Sequence, residues 1–156
     1  MNDNWIYVGI FLDEKSKNKL KELYPIPDSW QEYYDHMTVV FNDGTDIAKA
    51  VKSINDKNLN KKFNLKVVGP GISDKAYAIQ VELPEGVVSA NKITHITLGT
   101  SETGKAVDSN YITNWSKIYD DLFICGTMKV FEPTQTNGLL GTHMVTKVMY
   151  DEANVY

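Results

Sequence analysis

The chain has 156 residues, 42% of them apolar and 23% charged, and a formal net charge of −4. These values describe one globular domain over residues 1–156, long enough to bury a core, and exclude disordered, coiled-coil and collagen-like classes. The acidic balance argues against a surface that neutralises the many phosphates of a long nucleic acid, which leaves a small nucleotide or short oligonucleotide as the expected partner.

Trp5 to Leu12, WIYVGIFL, is a near-continuous apolar run and predicts a central strand covered on both faces. It is far too short to span a bilayer, and the preceding MNDN lacks the basic start of a signal peptide, so the expectation is a cytoplasmic protein with no membrane partner. Tyr7 in this strand is a candidate substrate contact, with core packing as its other role. DEKSKNKLKELY predicts a helix with Asp13 near its N-cap, ended by Pro25 and Pro27. In PIPDSWQEYYD, the aromatic residues Trp30 and Tyr33 are candidates for stacking on nucleobases.

DHMTVVF reads as a strand, whose period of two places His36, Thr38 and Val40 on one face and Met37, Val39 and Phe41 on the other. After the Asn42-Asp43-Gly44 turn, TDIAKAVKSINDK predicts a helix that packs through Ile47, Val51 and Ile54, with Ala48 and Ala50 beside them. KNLNKKFNLK, from Lys57 to Lys66, concentrates positive charge as a solvated turn and strand edge or as a binding patch. Lys62 to Val68 and Ala76 to Leu83 predict two strands joined by a turn in GPGISD. THITLGT is then a second strand of the earlier kind, with His95, Thr97 and Gly99 opposite Ile96 and Leu98.

Gly99 to Lys105 fits GxxxxGK after a strand, but Ala106 stands where a phosphate-binding loop needs Ser or Thr, and no amphipathic helix follows. The same residues suit a substrate loop, with Lys105, Ser109 and Asn110 as candidate contacts. Trp115 to Leu122 predicts a short helical or turn segment, with Trp115 anchoring the loop. Phe123 to Phe131 and Gly141 to Tyr150 predict a hairpin around EPTQTNGLL. His143 in its second strand is followed two places on by Val145, so it is read as structural. Cys125, the sole cysteine, excludes an internal disulfide and a thiolate zinc cluster. About seven strands and two helices without regular βαβ alternation give an α+β class.

The chemistry rests on the pattern that occurs twice, His36-Met37-Thr38 and His95-Ile96-Thr97. Two imidazoles on separate strands supply an acid and a base near neutrality, and each Thr hydroxyl, two residues on and on the same face, is placed to hold a phosphate oxygen. No cluster of Asp, Glu or His has ligand spacing, so neither a metal nor another cofactor is expected.

Two His-x-Thr motifs, each with an apolar residue at x and another after Thr, and 59 residues from His36 to His95, resemble the 2H phosphoesterase superfamily. HITLGTSETGKAVDSN is similar to the second motif and following loop of the cyclic phosphodiesterase branch found in RNA-repair enzymes. Viral members, including phage anti-CBASS proteins that linearise cyclic-oligonucleotide signals, are of similar size. The resemblance implies a two-lobed fold, with antiparallel sheets around a central cleft and helices on the outer faces. It also implies His36 and His95 as the acid/base pair and Thr38 and Thr97 as phosphate holders. The expected activity is metal-independent hydrolysis of a small cyclic nucleotide or cyclic oligonucleotide, in its viral form a counter-defence in the host cytoplasm. A 2′,3′-cyclic phosphodiesterase acting on RNA ends and a non-catalytic nucleotide-binding module stand as alternatives. Which histidine is the acid is not written in the sequence.

Overall fold

The computed structural model describes residues 4–132. In chain order the regular elements are β1 (Tyr7–Leu12), α1 (Glu14–Leu23), β2 (Gln31–Glu32), β3 (His36–Phe41), α2 (Asp46–Asn55), β4 (Lys62–Ile72), β5 (Ala76–Val81), β6 (His95–Thr100) and β7 (Phe123–Phe131). The class is α+β, as the sequence predicts. No helix among the described residues is long and apolar enough to cross a membrane. The second strand of the predicted hairpin, Gly141 to Tyr150 with His143, lies outside the described residues.

Every strand pairing is antiparallel, and the strands run β6-β3-β1-β7-β4-β5 before β5 returns to β6 and closes the sheet. The two-residue β2 lies along the far end of β6, where Gln31 faces Thr100. Closure leaves the apolar residues of β1, Val8, Ile10 and Leu12, in one core with Met37, Val39, Ile96, Leu98, Ile124 and Met128. The helices cover this core, with Leu20 of α1 and Ala48 and Val51 of α2 inserted into it.

Local chemistry starts both helices. The Asp13 carboxylate accepts from the Ser16 N–H at 2.8 Å, and the Thr45 hydroxyl accepts from the Ala48 N–H at 3.2 Å. The packed face of α2 differs from the predicted one. Ala48, Val51 and Asn55 are buried, whereas Ile47 is 72% and Ile54 47% exposed. Asn55 turns the helix, because its buried amide donates to the Val88 carbonyl at 2.7 Å and accepts from the Val88 N–H at 3.3 Å. A buried polar pair satisfied on both sides outweighs an Ile placed a third of a turn away.

The predicted turn in GPGISD is also displaced, because β4 continues through Gly69, Pro70 and Gly71 to Ile72. The segment at Trp115 lies over this stretch as an extended chain rather than a helix or turn. The Ser116 N–H donates to the Pro70 carbonyl at 2.8 Å, and the Ile118 N–H to the Val68 carbonyl at 2.8 Å. A Cβ at Gly69 would stand 1.9 Å from the Ser116 carbonyl oxygen, and one at Gly71 would stand 2.4 Å from the Trp115 ring. The glycines admit this antiparallel neighbour at close range.

The closed sheet contains one register twice. On β1 and β3, Phe11 faces His36, Ile10 faces Met37 and Gly9 faces Thr38, after which the register slips and Val8 faces Val40. On β5 and β6, Gln80 faces His95, Ile79 faces Ile96 and Ala78 faces Thr97, after which it slips and Tyr77 faces Gly99. Each His-x-Thr strand therefore carries one extra residue directly after its Thr, Val39 in one and Leu98 in the other. A bulge of this kind breaks the period of two. It places Val40 in the apolar core, contrary to its predicted place on the face of His36 and Thr38. The two copies meet where Met37 pairs with Ile96, so both motifs flank a single pair of core residues.

Candidate active site

Because Met37 and Ile96 point into the core, the flanking His36, Thr38, His95 and Thr97 all project from the opposite side of the sheet. All four are buried. The structure thus gathers the four motif residues at one place.

His36 is held on every side. Its Nδ1 faces the Asp35 carboxylate at 2.9 Å and its Nε2 faces the Thr38 hydroxyl at 3.0 Å. Its ring stacks against Tyr7 and Phe11, with centroids 4.8 and 5.2 Å away. Between those two residues on β1, Gly9 leaves the necessary room, since a Cβ there would stand 3.3 Å from His36 Cδ2 and 3.0 Å from the Met37 carbonyl oxygen. Burial pushes the Asp35 carboxyl up, but the hydrogen bond with His36 and the charges of His36 and Lys17 outweigh it and hold the group below the usual carboxylate range. The Lys17 ammonium stands 3.5 Å from the second carboxylate oxygen. Asp35 is therefore an anion at neutral pH, and Nδ1 of His36 carries the proton that faces it. Tyr7 is buried as a plate against this ring, and burial, followed by the Asp35 charge, keeps its phenol protonated. That position makes it a packing partner of His36, the core role that the sequence also offered.

His95 is held on one side only. Its Nδ1 lies 2.9 Å from the Ile93 carbonyl oxygen, which fixes the proton on that nitrogen. Nε2 thus carries the lone pair, and it is buried with no hydrogen-bond partner among the described residues. Burial lowers the pKa of His95; the bond to Ile93 opposes that and the charge of His36 adds to it. A neutral imidazole with an unoccupied basic nitrogen is the form a general base requires. The Thr97 hydroxyl lies 2.8 Å from the Ser109 hydroxyl.

Ser109 comes from a 3₁₀ turn, Ala106–Tyr111, in the loop after β6. That loop is fixed on the β4–β5 connection, because the Ser101 N–H donates to the Lys75 carbonyl at 3.0 Å and a Cβ at Gly104 would stand 2.1 Å from the same oxygen. No long helix follows the GxxxxGK pattern, in agreement with its rejection as a phosphate-binding loop. The Lys105 N–H donates to the Asp108 carboxylate at 2.8 Å, and its side chain is exposed and outside the two cavities beside β6. Lys105 thus starts the turn through its backbone, and its ammonium is not brought to His95 as Ser109 and Asn110 are.

Two cavities flank β6. One, of about 190 Å³, is lined by His95, Ser109 and Asn110 together with Asn91 and Trp115. The other, of about 370 Å³, lies toward Thr100 and is lined by Trp30, Tyr33, Ser101 and Glu102. Ser109 and Asn110 are therefore brought to His95, while Trp30 and Tyr33 belong to a separate cavity. Asp35 and Asn91 were missed by the sequence analysis. Asp35 had a signal, since a carboxylate directly before a strand histidine is within reach of its ring. Asn91, whose amide donates to the Thr38 carbonyl at 3.0 Å, had none. Among the described residues, no three His, Cys, Asp or Glu side chains gather to hold a metal.

No family model matches the chain, and no curated protein matches it in sequence. Among solved structures, the fold is similar to one described as the crystal structure of a fungal RNA kinase, with a TM-score of 0.54 and 17% identity. The match covers 85% of this chain and 45% of that one, so this chain spans less than half the length of that protein.

Proposed function

We propose that the chain is a metal-independent phosphodiesterase of the 2H type, acting on a small cyclic nucleotide or cyclic oligonucleotide through His36 and His95. The observation that carries this reading is the repeated register, which sets both His-x-Thr motifs at equivalent positions about the Met37–Ile96 pair. On this reading, the three-stranded groups β3-β1-β7 and β6-β5-β4 of the single closed sheet correspond to the two lobes of that fold. A viral counter-defence enzyme is the most specific form of the same reading.

The environments of the histidines support one division of roles. His95 Nε2 takes the proton of a ribose 2′-hydroxyl, and the oxygen attacks phosphorus. The bond from phosphorus to the 5′-oxygen breaks as His36 gives that oxygen its proton, with Asp35 as the counter-charge of the protonated ring. The product is a 2′,3′-cyclic phosphate. Water then opens the ring with the two roles reversed. Thr38 and Thr97 hold the non-bridging oxygens, whose charge grows in the transition state.

Mass spectrometry of products from 3′,5′-linked cyclic dinucleotides and 2′,3′-cyclic AMP, in EDTA and beside a His36→Ala/His95→Ala double variant, tests the proposal. Linearised dinucleotide from the parent alone supports it. Opening of 2′,3′-cyclic AMP alone favours the second reading, an RNA-end phosphodiesterase, which the likeness to a protein described as an RNA kinase keeps beside the first. Binding without any turnover would replace both with a nucleotide-binding module.

A further inference from the structure

The cavity of about 190 Å³ lies beside His95, and two of its lining residues bond to the threonines of the two motifs. On one wall Asn91 donates to the Thr38 carbonyl at 3.0 Å, and on another Ser109 meets the Thr97 hydroxyl at 2.8 Å. His95 belongs to the same lining, and its Nε2 is buried with no hydrogen-bond partner among the described residues. A ligand seated here therefore packs beside the His95 ring.

The walls state which chemistry fits. Among the described residues no carboxylate lines the cavity, although the chain carries a net charge of −4, and Lys92 stands exposed at its rim. Trp115 forms a fixed aromatic wall, because its Nε1–H donates to the Ile112 carbonyl at 3.0 Å and its ring packs on Gly71. Asn110 is exposed and offers an amide, a donor beside an acceptor, which matches the paired acceptor and donor on the edge of a nucleobase. The volume lies below that of drug-sized pockets and suits one ring system.

We propose that this cavity is a nucleobase subsite, in which one base of a nucleotide packs against Trp115 and meets Asn110 while its ribose oxygen faces the His95 ring. The proposal rests on the phosphodiesterase reading for the identity of that oxygen. The base in the cavity is then the one attached to the attacking ribose. Trp30 and Tyr33, in the other cavity, are left to any second nucleotide.

The test reads binding without turnover. In the full chain, the indole N–H resonances of Trp5, Trp30 and Trp115 are followed by NMR during titration with adenosine 3′-phosphate and, separately, inorganic phosphate. Trp115→Phe and Trp30→Phe assign the signals. The expected result is a saturable shift of the Trp115 signal with the nucleotide and none with phosphate. Trp115→Leu should weaken binding about fivefold to a hundredfold, the range for one lost base stack. Should that variant fail to fold, Asn110→Trp fills the cavity from an exposed position and should abolish the shift. A Trp115 signal that stays fixed while Trp30 moves, or that moves equally with phosphate alone, overturns the subsite. Hydrolysis with a fixed Trp115 signal sinks only the subsite, and a moving signal without hydrolysis sinks only the catalytic reading.

Discussion

The half of the sheet that carries His36 and the half that carries His95 share a register but not a set of neighbours. Across from the first motif β1 supplies Tyr7, Gly9 and Phe11; at the matching positions across from the second, β5 supplies Ala76, Ala78 and Gln80. One ring is therefore clamped between aromatic plates and bonded at both nitrogens, while the other, beside a cavity, keeps a buried Nε2 with no hydrogen-bond partner among the described residues. Register decides where each histidine stands. The strand beside it and the residue before it decide what it can do with a proton.

If the halves act as acid and base of one reaction, removing either imidazole should have the largest effect. His36→Ala or His95→Ala should each lower kcat about 10²- to 10⁴-fold, with substrate affinity changed much less. The double variant should be little worse than the weaker single one, because the pair works as a unit. Multiplicative losses in steady-state kinetics would show two independent contributions and break the comparison.

A smaller change should separate the halves. Asp35→Asn removes the counter-charge of His36 and leaves His95 bonded to the Ile93 carbonyl. The expected loss is about 10- to 100-fold, the scale for partners that orient a functional imidazole. The pH–rate profile should move on one limb only. Movement of both limbs would place Asp35 in contact with both rings.

The repeated motif was legible because period two and residue type are local properties of a strand. His36 with Thr38, and His95 with Thr97, needed no long-range knowledge to be put on one face. Closure of the sheet depends on β5 finding β6, and each bulge exists only relative to a partner strand, so Val40 was assigned to the wrong face. Asn55 misled in the same way, because its partner Val88 is distant in sequence. The Gly-Pro-Gly stretch has turn composition, yet here the glycines make space for Trp115 and Ser116.

Two substitutions sharpen the contrast within the packing. Gly9→Ala adds the methyl group that its counterpart Ala78 already carries, but against the Met37 carbonyl and the His36 ring, at 3.0 and 3.3 Å. It should cost about 1–3 kcal/mol in chemical denaturation, as overpacking does. Ser109→Ala breaks the bond to Thr97 in the other half and should cost about 1 kcal/mol. Its effect on kcat should be several-fold, through a Thr97 hydroxyl no longer aimed, and an unchanged kcat would remove Thr97 from the phosphate-holding role.

The smallest expected effect is on the dependence of stability on pH, and it too differs between the halves. Burial lowers the pKa of His95 from 6.5, so over the range between that value and the folded one the unfolded chain binds more protons than the native one. Stability then rises with pH in that range. The contribution is present in full above the unfolded value and is lost as the pH falls through the folded value. Asp35, held below its ordinary 3.8, has the same sign in a more acidic range. His95→Gln should therefore flatten the fall in urea midpoint that begins below about pH 6.5 and leave the later acid fall intact. A variant that loses stability over the upper range as steeply as the parent would show that His95 is protonated in the native protein, and would take from it the role of base.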